Sequence, residues 1–577
     1  MKKKIILAGL LSMSMMATVS TSQSYAKAKA TTGLSVSAGA DIISIKVTKP
    51  TSSGHLYAYN ANEYPNGDKM RGISTNVLEK GVDLGSITKG KSQTLSWERY
   101  GNDGRDHLYN KYYILSGNKI VKGPIYATSV AAKYGKVGYT QKSIKGIYTE
   151  DDLSKATYAS DLKATSITYN LGLQNLIYSQ DSGTAPSDAI SFESNGQTYY
   201  FNKSVVDEYD QKIQDANRRG MNVIAVLIPW VESNANYPAE LRYNSSASKT
   251  TWGTNTSNGK GRDYYIAMVE FLANRYSQSK AQGQISTYVI GNEIDFTHYF
   301  YSTSNFNKYM EEYARSLRLS NLAIKKYASN ANVAVPFTHY WAKSAGQVYK
   351  ECPSPSFAPK KMLDWLAKYT NARGAFDWAI APHPYGVINT KSNQAYYDTK
   401  TGAINGNYKT SKELTFTNFE ILDQYLSTSA LKYKGKQRSV YLTESGASSG
   451  NMKATARFNE QAASLIQAYY KVANLKFVKS YNYYRLQDNE EEAKNSLTCG
   501  LLKPNGSKKP VYNIYKAIDT KSSNSKTKKY LKYVSYYKNG KTKVSGKKLK
   551  SWKDAMGVYK TKVNWNKKWK WSNIYRK

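Results

Sequence analysis

Between about residue 32 and residue 135 the chain alternates apolar and polar positions in short runs: DIISIKV (41–47), HLYAYN (55–60), KYYILS (111–116) and PIYATSV (124–130). Gly, Asn, Pro and Ser separate them. A period of two turns one face of each run toward a core, so the segment reads as strands without helices. Strands at this spacing predict a small all-β sandwich over 29–138, the size of an immunoglobulin-like module.

The pattern then changes. Eight apolar runs rich in Val, Ile and Tyr alternate with amphipathic stretches: IKGIY (144–148), TSITYN (165–170), NVIAVLI (222–228), STYVIGN (286–292), VAVPFTH (333–339), DWAIAPH (377–383), SVYLTES (439–445) and VKSYNYY (478–484). In the intervening stretches Val206, Tyr209, Ile213 and Ala216 recur at steps of three and four, and Gly220 stands where a helix would stop. Tyr265, Met268, Phe271 and Leu272 repeat the pattern before the fourth run, and Tyr309, Tyr313, Leu317 and Ala323 after it. Eight βα units in succession predict an α/β fold, a TIM (β/α)8 barrel over 139–518. An open doubly wound sheet would carry a Gly-rich phosphate turn after its first strand, and IKGIYTEDD has none. Polar tracts at 172–203, 230–262 and 384–410 enlarge the loops leaving runs two, three and six and predict a deep cleft at the strand ends.

Composition adds bounds rather than chemistry. With 577 residues, 40% of them hydrophobic, global disorder is excluded. Lys2 to Lys4, the apolar stretch from Ile5 to Val19 and small residues near Ala26 and Ala28 predict a signal peptide over 1–28, hence a secreted or cell-wall-associated protein. That stretch is too short and too rich in Ser and Thr for a membrane span. Two cysteines, Cys352 and Cys499, exclude a disulfide scaffold and a cysteine zinc site and allow one bridge at most. A net charge of +40 draws the protein toward polyanions. Much of it sits in a Lys- and aromatic-rich C-terminal tail, 519–577, where residues 521–577 hold 19 Lys and Arg against one acid, Asp554. Set apart by composition, this tail is expected to be removable without unfolding the barrel. Its partner would be an anionic cell-wall polymer or acidic polysaccharide, and secretion makes nucleic acid the less natural one.

Two glutamates carry the candidate chemistry. Gly291-Asn292-Glu293 closes the fourth run and Thr443-Glu444-Ser445-Gly446 the seventh, so residues 151 apart in sequence face each other across the mouth of a barrel. Paired carboxylates suit glycoside hydrolysis, one delivering a proton to the leaving oxygen and the other attacking the anomeric carbon. With these motifs the sequence resembles clan A glycoside hydrolases over roughly 140–518, and also an uncharacterised bacterial barrel family catalogued only as a domain of unknown function. The resemblance implies Glu293 as acid/base, Glu444 as nucleophile and Asn292 as partner of the sugar 2-hydroxyl. It implies a retaining mechanism without metal or organic cofactor, carboxyl groups about 5–5.5 Å apart, a raised pKa for Glu293 and an ionised Glu444.

Around that pair, His298, His339 and His383 follow runs four, five and six. Hydrogen bonds to sugar hydroxyls are their expected use; a three-histidine metal site is the alternative. Trp230, Tyr340, Trp341, Tyr385, Tyr483 and Tyr484 are candidate platforms for sugar rings. Where members of the clan place a Trp at strand eight and an Arg near strand two, this chain has Tyr484-Arg485 and Asn170, taken here as substrate contacts. Gly85 to Ser92 spells a phosphate loop, but inside a β-rich segment that lacks the helix the loop needs. Gly446-Ala447-Ser448-Ser449-Gly450 spells a serine elbow, but no histidine follows His383 to complete a standard triad. The sequence therefore reads as a secreted glycosidase acting on a poly- or oligosaccharide. Its competitor is a noncatalytic carbohydrate- or cell-wall-binding protein on an inactive barrel.

Overall fold

A computed structural model describes residues 31–577 apart from 61–76, 78–79, 139, 150–156, 181–184, 232–236, 243–249, 280–281, 351, 353–354, 386–393, 451–456 and 495. The expected signal peptide, 1–28, lies outside the described residues. Among the described residues no helix is long and apolar enough to cross a membrane.

The amino-terminal strands are β1 (Gly33–Ala38), β2 (Ile42–Thr48), β3 (Gly54–Tyr59), β4 (Val82–Ile87), β5 (Gln93–Glu98), β6 (Lys111–Ser116), β7 (Lys119–Ile125) and β8 (Ser129–Val130). They form two sheets, ordered β5-β2-β1-β8 and β4-β3-β6-β7, antiparallel except for β8 against β1. Alternation does the work the sequence suggested: Ile43, Ile45 and Val47 of β2 are buried and pack in one apolar cluster with Leu56 and Ala58 of β3 and Ile114 of β6. The look-alike phosphate loop runs from β4 into β5 with no helix after it, so its glycines serve a strand-to-strand turn.

All eight apolar runs of the second region are strands of one closed barrel. They are β9 (Lys145–Tyr148), β10 (Ser166–Gly172), β13 (Asn222–Ile228), β14 (Ile285–Ile290), β15 (Asn332–Phe337), β16 (Trp378–Pro382), β17 (Val440–Ser445) and β18 (Val478–Tyr483). Between β10 and β13 a hairpin, β11 (Ile190–Ser194) and β12 (Gln197–Phe201), is inserted. Each barrel strand pairs in parallel with the next, and β18 pairs with β9 to close the ring. Side chains alternate between two cores. Ile224, Val226 and Ile228 meet Val289, Ala334, Ala379, Ala381 and Tyr441 inside the barrel. Val223, Ala225 and Leu227 point the other way, into the layer of helices. A strand buried on both faces loses its polar alternation, which is why these runs are continuously apolar.

The helix Lys203–Arg218 buries Val206, Tyr209, Ile213 and Ala216, is capped by Asn202 accepting from the Ser204 amide, and stops before Gly220 at φ 76°. The helix Gly259–Arg275 is buried on nearly every side, because the β-domain covers the face that the barrel leaves open. An ionic network joins the two: Lys326 pairs with Glu270 at 2.7 Å and Asp106 at 3.0 Å, Asp106 pairs with Arg99 at 3.0 Å, and Tyr109 and Ser194 donate to Glu270.

The basic C-terminal segment is not a detached tail. Residues 521–577 form short helices at Ser523–Thr527, Trp552–Met556 and Trp565–Lys568, and a hairpin, β19 (Tyr536–Lys538) and β20 (Thr542–Val544). Leu531, Val534, Trp552, Met556 and Trp565 are buried in the main core cluster. Tyr470 of the helix Phe458–Ala473 meets the rings of Trp552, Trp569 and Trp571 edge-on. Polar clamps add to this: Lys568 pairs with Asp423, the Trp565 indole donates to Glu420, and Arg576 pairs with Asp519 at 3.0 Å. Asp519 also forms a fully buried pair with Lys145 of β9 at 2.6 Å. Aromatics interleaved with lysines thus signal packing here, the ammonium heads reaching water while the rings go inside.

Candidate active site

Strand β14 ends at Ile290, and the next residues turn sharply. Gly291 has φ 80° and Glu293 φ 39°, the left-handed region that costs a non-glycine residue about 1–2 kcal/mol. The turn is held by its surroundings: the Gly291 amide donates to the Leu227 carbonyl, the Ile294 amide to the Pro336 carbonyl, and the Phe296 amide to the Glu293 carbonyl. Asp295, fully buried, accepts 2.8 Å and 2.5 Å hydrogen bonds from the amide and hydroxyl of Thr338 at the end of β15. Burial pushes the Asp295 carboxyl up to about 7, more than the Thr338 hydrogen bonds can offset.

Glu444 is aimed by a different device. In β17, Tyr441 faces the barrel interior and Leu442 the helices, so simple alternation would turn Glu444 outward with Leu442. The register against β18 slips between Leu442 and Ser445: Leu442 lies opposite Tyr481 and Ser445 opposite Tyr483. The extra residue is a β-bulge, which re-aims the side chains beyond it. Thr443 and Glu444 both reach the groups in the mouth.

There the two glutamates converge on His383. Its Nδ1 lies 3.0 Å from Glu293 Oε1 and 3.7 Å from Glu444 Oε2, and its Nε2 is 3.3 Å from the Thr443 hydroxyl. Tyr385 donates to Glu444 Oε1 at 2.8 Å. Donor atoms of Glu293, His383 and Glu444 all lie within 4.8 Å of one another. The imidazole is buried, whereas the two glutamate side chains keep 19% and 23% exposure, enough to meet a ligand. Burial depresses the His383 pKa, but the charge of Glu444 and the hydrogen bond to Glu293 outweigh it and hold the group above its ordinary 6.5. Burial raises the Glu444 pKa; His383 opposes this and the charge of Glu293 adds to it. Glu444 was expected to be the readily ionised member of the pair, and its setting works against that. Chemically, two carboxylates and an imidazole this close hold fewer protons than three sites and pass them among themselves. The same trio is the one group among the described residues arranged to hold a divalent cation.

The remaining sequence candidates divide. Trp230 continues the inward positions of β13 and packs against the interior cluster. Asn170, at the end of β10, donates to Tyr148 at 2.8 Å. Asn292 lies between Gly291 and Glu293 and is partly exposed. His339 borders the site, where burial drops its pKa to about 4 and leaves a neutral imidazole at pH 7. His298 is half-buried against Phe296 and Tyr299, its pKa likewise lowered by burial. Tyr385 is mostly buried and belongs to Glu444 rather than to an open platform. Tyr484 packs on Tyr148 and Tyr385 and donates to Glu492; Arg485 pairs with the same Glu492 at 3.0 Å. That pair braces the wall of the mouth rather than reaching into it.

Three expectations are corrected. Trp341 is no sugar platform: it is fully buried, its indole donates to the Tyr408 carbonyl at 2.6 Å, and Tyr425 meets its ring edge-on. Tyr483 is also fully buried, its hydroxyl on the Ala447 carbonyl. His383 has both ring nitrogens engaged by the protein, so it organises the carboxylates instead of binding hydroxyls. The serine elbow is likewise used structurally, since the Ser448 hydroxyl donates to the Ser496 carbonyl at 2.7 Å. Cys352 and Cys499 are not bridged to each other, and Cys499 packs behind Tyr148, Tyr385 and Tyr484. Sequence reasoning missed Asp295, Thr443 and Glu492. Only Asp295 had a signal, an acid two residues beyond Glu293.

Residues 138–540 match the family described as Family of unknown function (DUF5722). No curated protein matches the chain in sequence. Among solved structures, it is similar to a family 39 glycoside hydrolase from Bacteroides cellulosilyticus WH2 (14% identity, covering 84% of this chain and 82% of that one, TM-score 0.43). It is also similar to a monomeric beta-xylosidase from Caulobacter crescentus CB15 (14%, 66% and 69%, TM-score 0.41) and a beta-glucosidase from Pyrococcus furiosus (13%, 65% and 83%, TM-score 0.40). The barrel itself rests on the strand pairing described above.

Proposed function

The chain belongs to the DUF5722 family, and we propose that this member is a secreted glycoside hydrolase that cleaves O-glycosidic bonds of a poly- or oligosaccharide with retention of configuration. The observation that carries the reading is the approach of Glu293 and Glu444 to within 4.8 Å at the ends of the fourth and seventh barrel strands. Retaining enzymes hold their carboxyl groups about 5–5.5 Å apart, whereas inverting enzymes leave about 6.5–9.5 Å for a water.

In the proposed cycle one proton resides on the Glu293–His383 pair and Glu444 is ionised. Protonating that pair removes the negative charge that otherwise raises the Glu444 pKa. A Glu444 oxygen attacks the anomeric carbon, the glycosidic C–O bond breaks, and Glu293 delivers its proton to the departing oxygen. Glu293, now ionised and accepting from His383 Nδ1, takes a proton from water, which attacks the glycosyl–Glu444 ester and releases the sugar. Tyr385 holds the Glu444 carboxylate in position, and Asn292, Trp230 and His339 border the space for the sugar. No cofactor enters these steps. Secretion rests on the leader at 1–28.

The test separates the two glutamates. On an activated aryl glycoside, Glu444→Ala should stop turnover, with azide restoring it to a product of inverted configuration. Glu293→Ala should still form the intermediate and stall at hydrolysis, with azide giving a retained product. Product stereochemistry by NMR decides: exchanged outcomes reverse the roles, and undiminished activity in both variants removes the pair from catalysis.

A further inference from the structure

Parallel strands place their starts and their ends on opposite faces of the barrel, and the face away from the glutamates carries its own cavities. Thr165, Asn222 and Ser286, at the starts of β10, β13 and β14, line a cavity of about 410 Å³ together with Lys142, Lys163, Arg219 and Arg576. Lys163 also lines a neighbouring cavity of about 740 Å³ with Lys516, Lys526 and Lys529, beside the helix Pro510–Ala517. The two cavities adjoin at this lysine, and the adjoining pair is called the trough.

Its charge is one-sided. Among the described residues of the lining, seven cations face one acid, Asp161, and that acid is already paired with Lys516 and, at 3.8 Å, with Lys508. Arg219 is held by Asp215 at 2.8 Å and Arg576 by Asp519 at 3.0 Å. Lys142, Lys163, Lys526 and Lys529 are exposed and have no ion pair among the described residues. The rest of the lining is rich in hydroxyl and amide groups, among them Thr140, Ser160, Asn217, Gln284 and Asn513. Among the described residues of the lining, Tyr530 is the one aromatic residue, and it is buried. Single-stranded nucleic acid is held by stacking its bases on exposed rings, which the described residues of the lining do not offer. Repeated negative charge on a hydroxyl-rich backbone suits it better.

We propose that this trough binds an anionic glycan, a chain of sugar or polyol units bearing carboxylate or phosphodiester groups, and so holds the enzyme on a polyanionic matrix with its catalytic mouth turned away from the attachment. The site goes beyond the glycosidase reading and does not depend on it, because the test reads binding and not turnover.

Fluorescently labelled polygalacturonate and polyglycerol phosphate serve as probes for the full-length protein, with an oligodeoxythymidylate of matched charge as comparator. A triple variant, Lys163→Glu with Lys526→Glu and Lys529→Glu, should bind both glycans at least about tenfold more weakly at low salt and lose much of the salt dependence of binding. A control carrying Lys547→Glu, Lys548→Glu and Lys550→Glu, exposed lysines outside the trough, has the same net charge and should bind as the parent does. Melting curves for both variants confirm folding. Equal weakening in the two variants would show that net charge alone, and not the trough, is the binder. Tighter binding of the oligonucleotide than of either glycan would overturn the ligand class. Polygalacturonate binding without polyglycerol phosphate, or the reverse, fixes which charged group the trough takes.

Discussion

Asp295 is a buried carboxyl two residues beyond Glu293, and burial makes it hold its proton more tightly than an exposed acid does. Its folded-state pKa of about 7 lies above the ordinary 3.8, so the native state holds the proton more tightly than the unfolded chain does. The sign follows: the group favours folding below about pH 4, and that contribution is lost as pH rises through about 7. Asparagine keeps the shape, can still meet the amide and hydroxyl of Thr338, and does not titrate. Asp295→Asn should therefore gain stability relative to the parent as pH climbs from about 4 to about 7, read as the difference in urea midpoint at each pH. A difference that stays constant would mean that Asp295 is ionised throughout. Residue identity could locate Glu293 and Glu444, because strand ends are readable, but not the burial that makes Asp295 basic or Trp341 a core residue. Position after a strand says that a side chain is near the mouth, not which way it points.

The turn and the bulge that aim the two glutamates are properties of their elements. At Gly291, φ is 80° and an added Cβ would sit 3.2 Å from Ile294 Cγ2. Gly291→Ala should cost about 1–2 kcal/mol of stability from the left-handed backbone, measurable as a shift in denaturation midpoint. Its effect on kcat should be larger, up to about a hundredfold, because displacement of a reacting group by about 1 Å has that consequence. Equal and small losses in both quantities would mean that the turn does not position Glu293. All eight barrel strands were legible because burial on both faces writes a continuous apolar run. The bulge in β17 was not: the letters Leu442-Thr443-Glu444 alternate as in a regular strand, and only pairing with β18 shows the slip. The hairpin β11–β12 was read as part of a polar loop for a related reason, since its strands alternate over an exposed face in Phe192-Glu193-Ser194 and Thr198-Tyr199-Tyr200.

For the whole molecule, the composition break at Lys521 suggested an independent tail, and the packing reverses that expectation. Removing 521–577 would uncover partners of Leu531, Val534, Trp552, Met556 and Trp565. Each large apolar side chain is worth about 1.5–3 kcal/mol when buried, against a net domain stability of about 5–15 kcal/mol. The truncated chain should melt far below the intact one or aggregate, as seen by calorimetry and size-exclusion chromatography; an unchanged melting temperature would return the tail to independence. Lysine counts misled because charge reports the heads of side chains, while Trp and Tyr between them report the contact. The buried pair of Lys145 with Asp519 spans 374 residues of sequence, and β9 cannot close on β18 until both exist. A ring of strands has no stable half. While a ribosome adds the intervening chain at about 5–20 residues per second, tens of seconds pass with the first barrel strands already made and their last neighbour still missing. Throughout that interval the growing chain presents bare strand edges and an unpaired lysine, so it remains a substrate for holding factors and for any pore that threads unfolded polypeptide, and it escapes both only when its two distant ends meet.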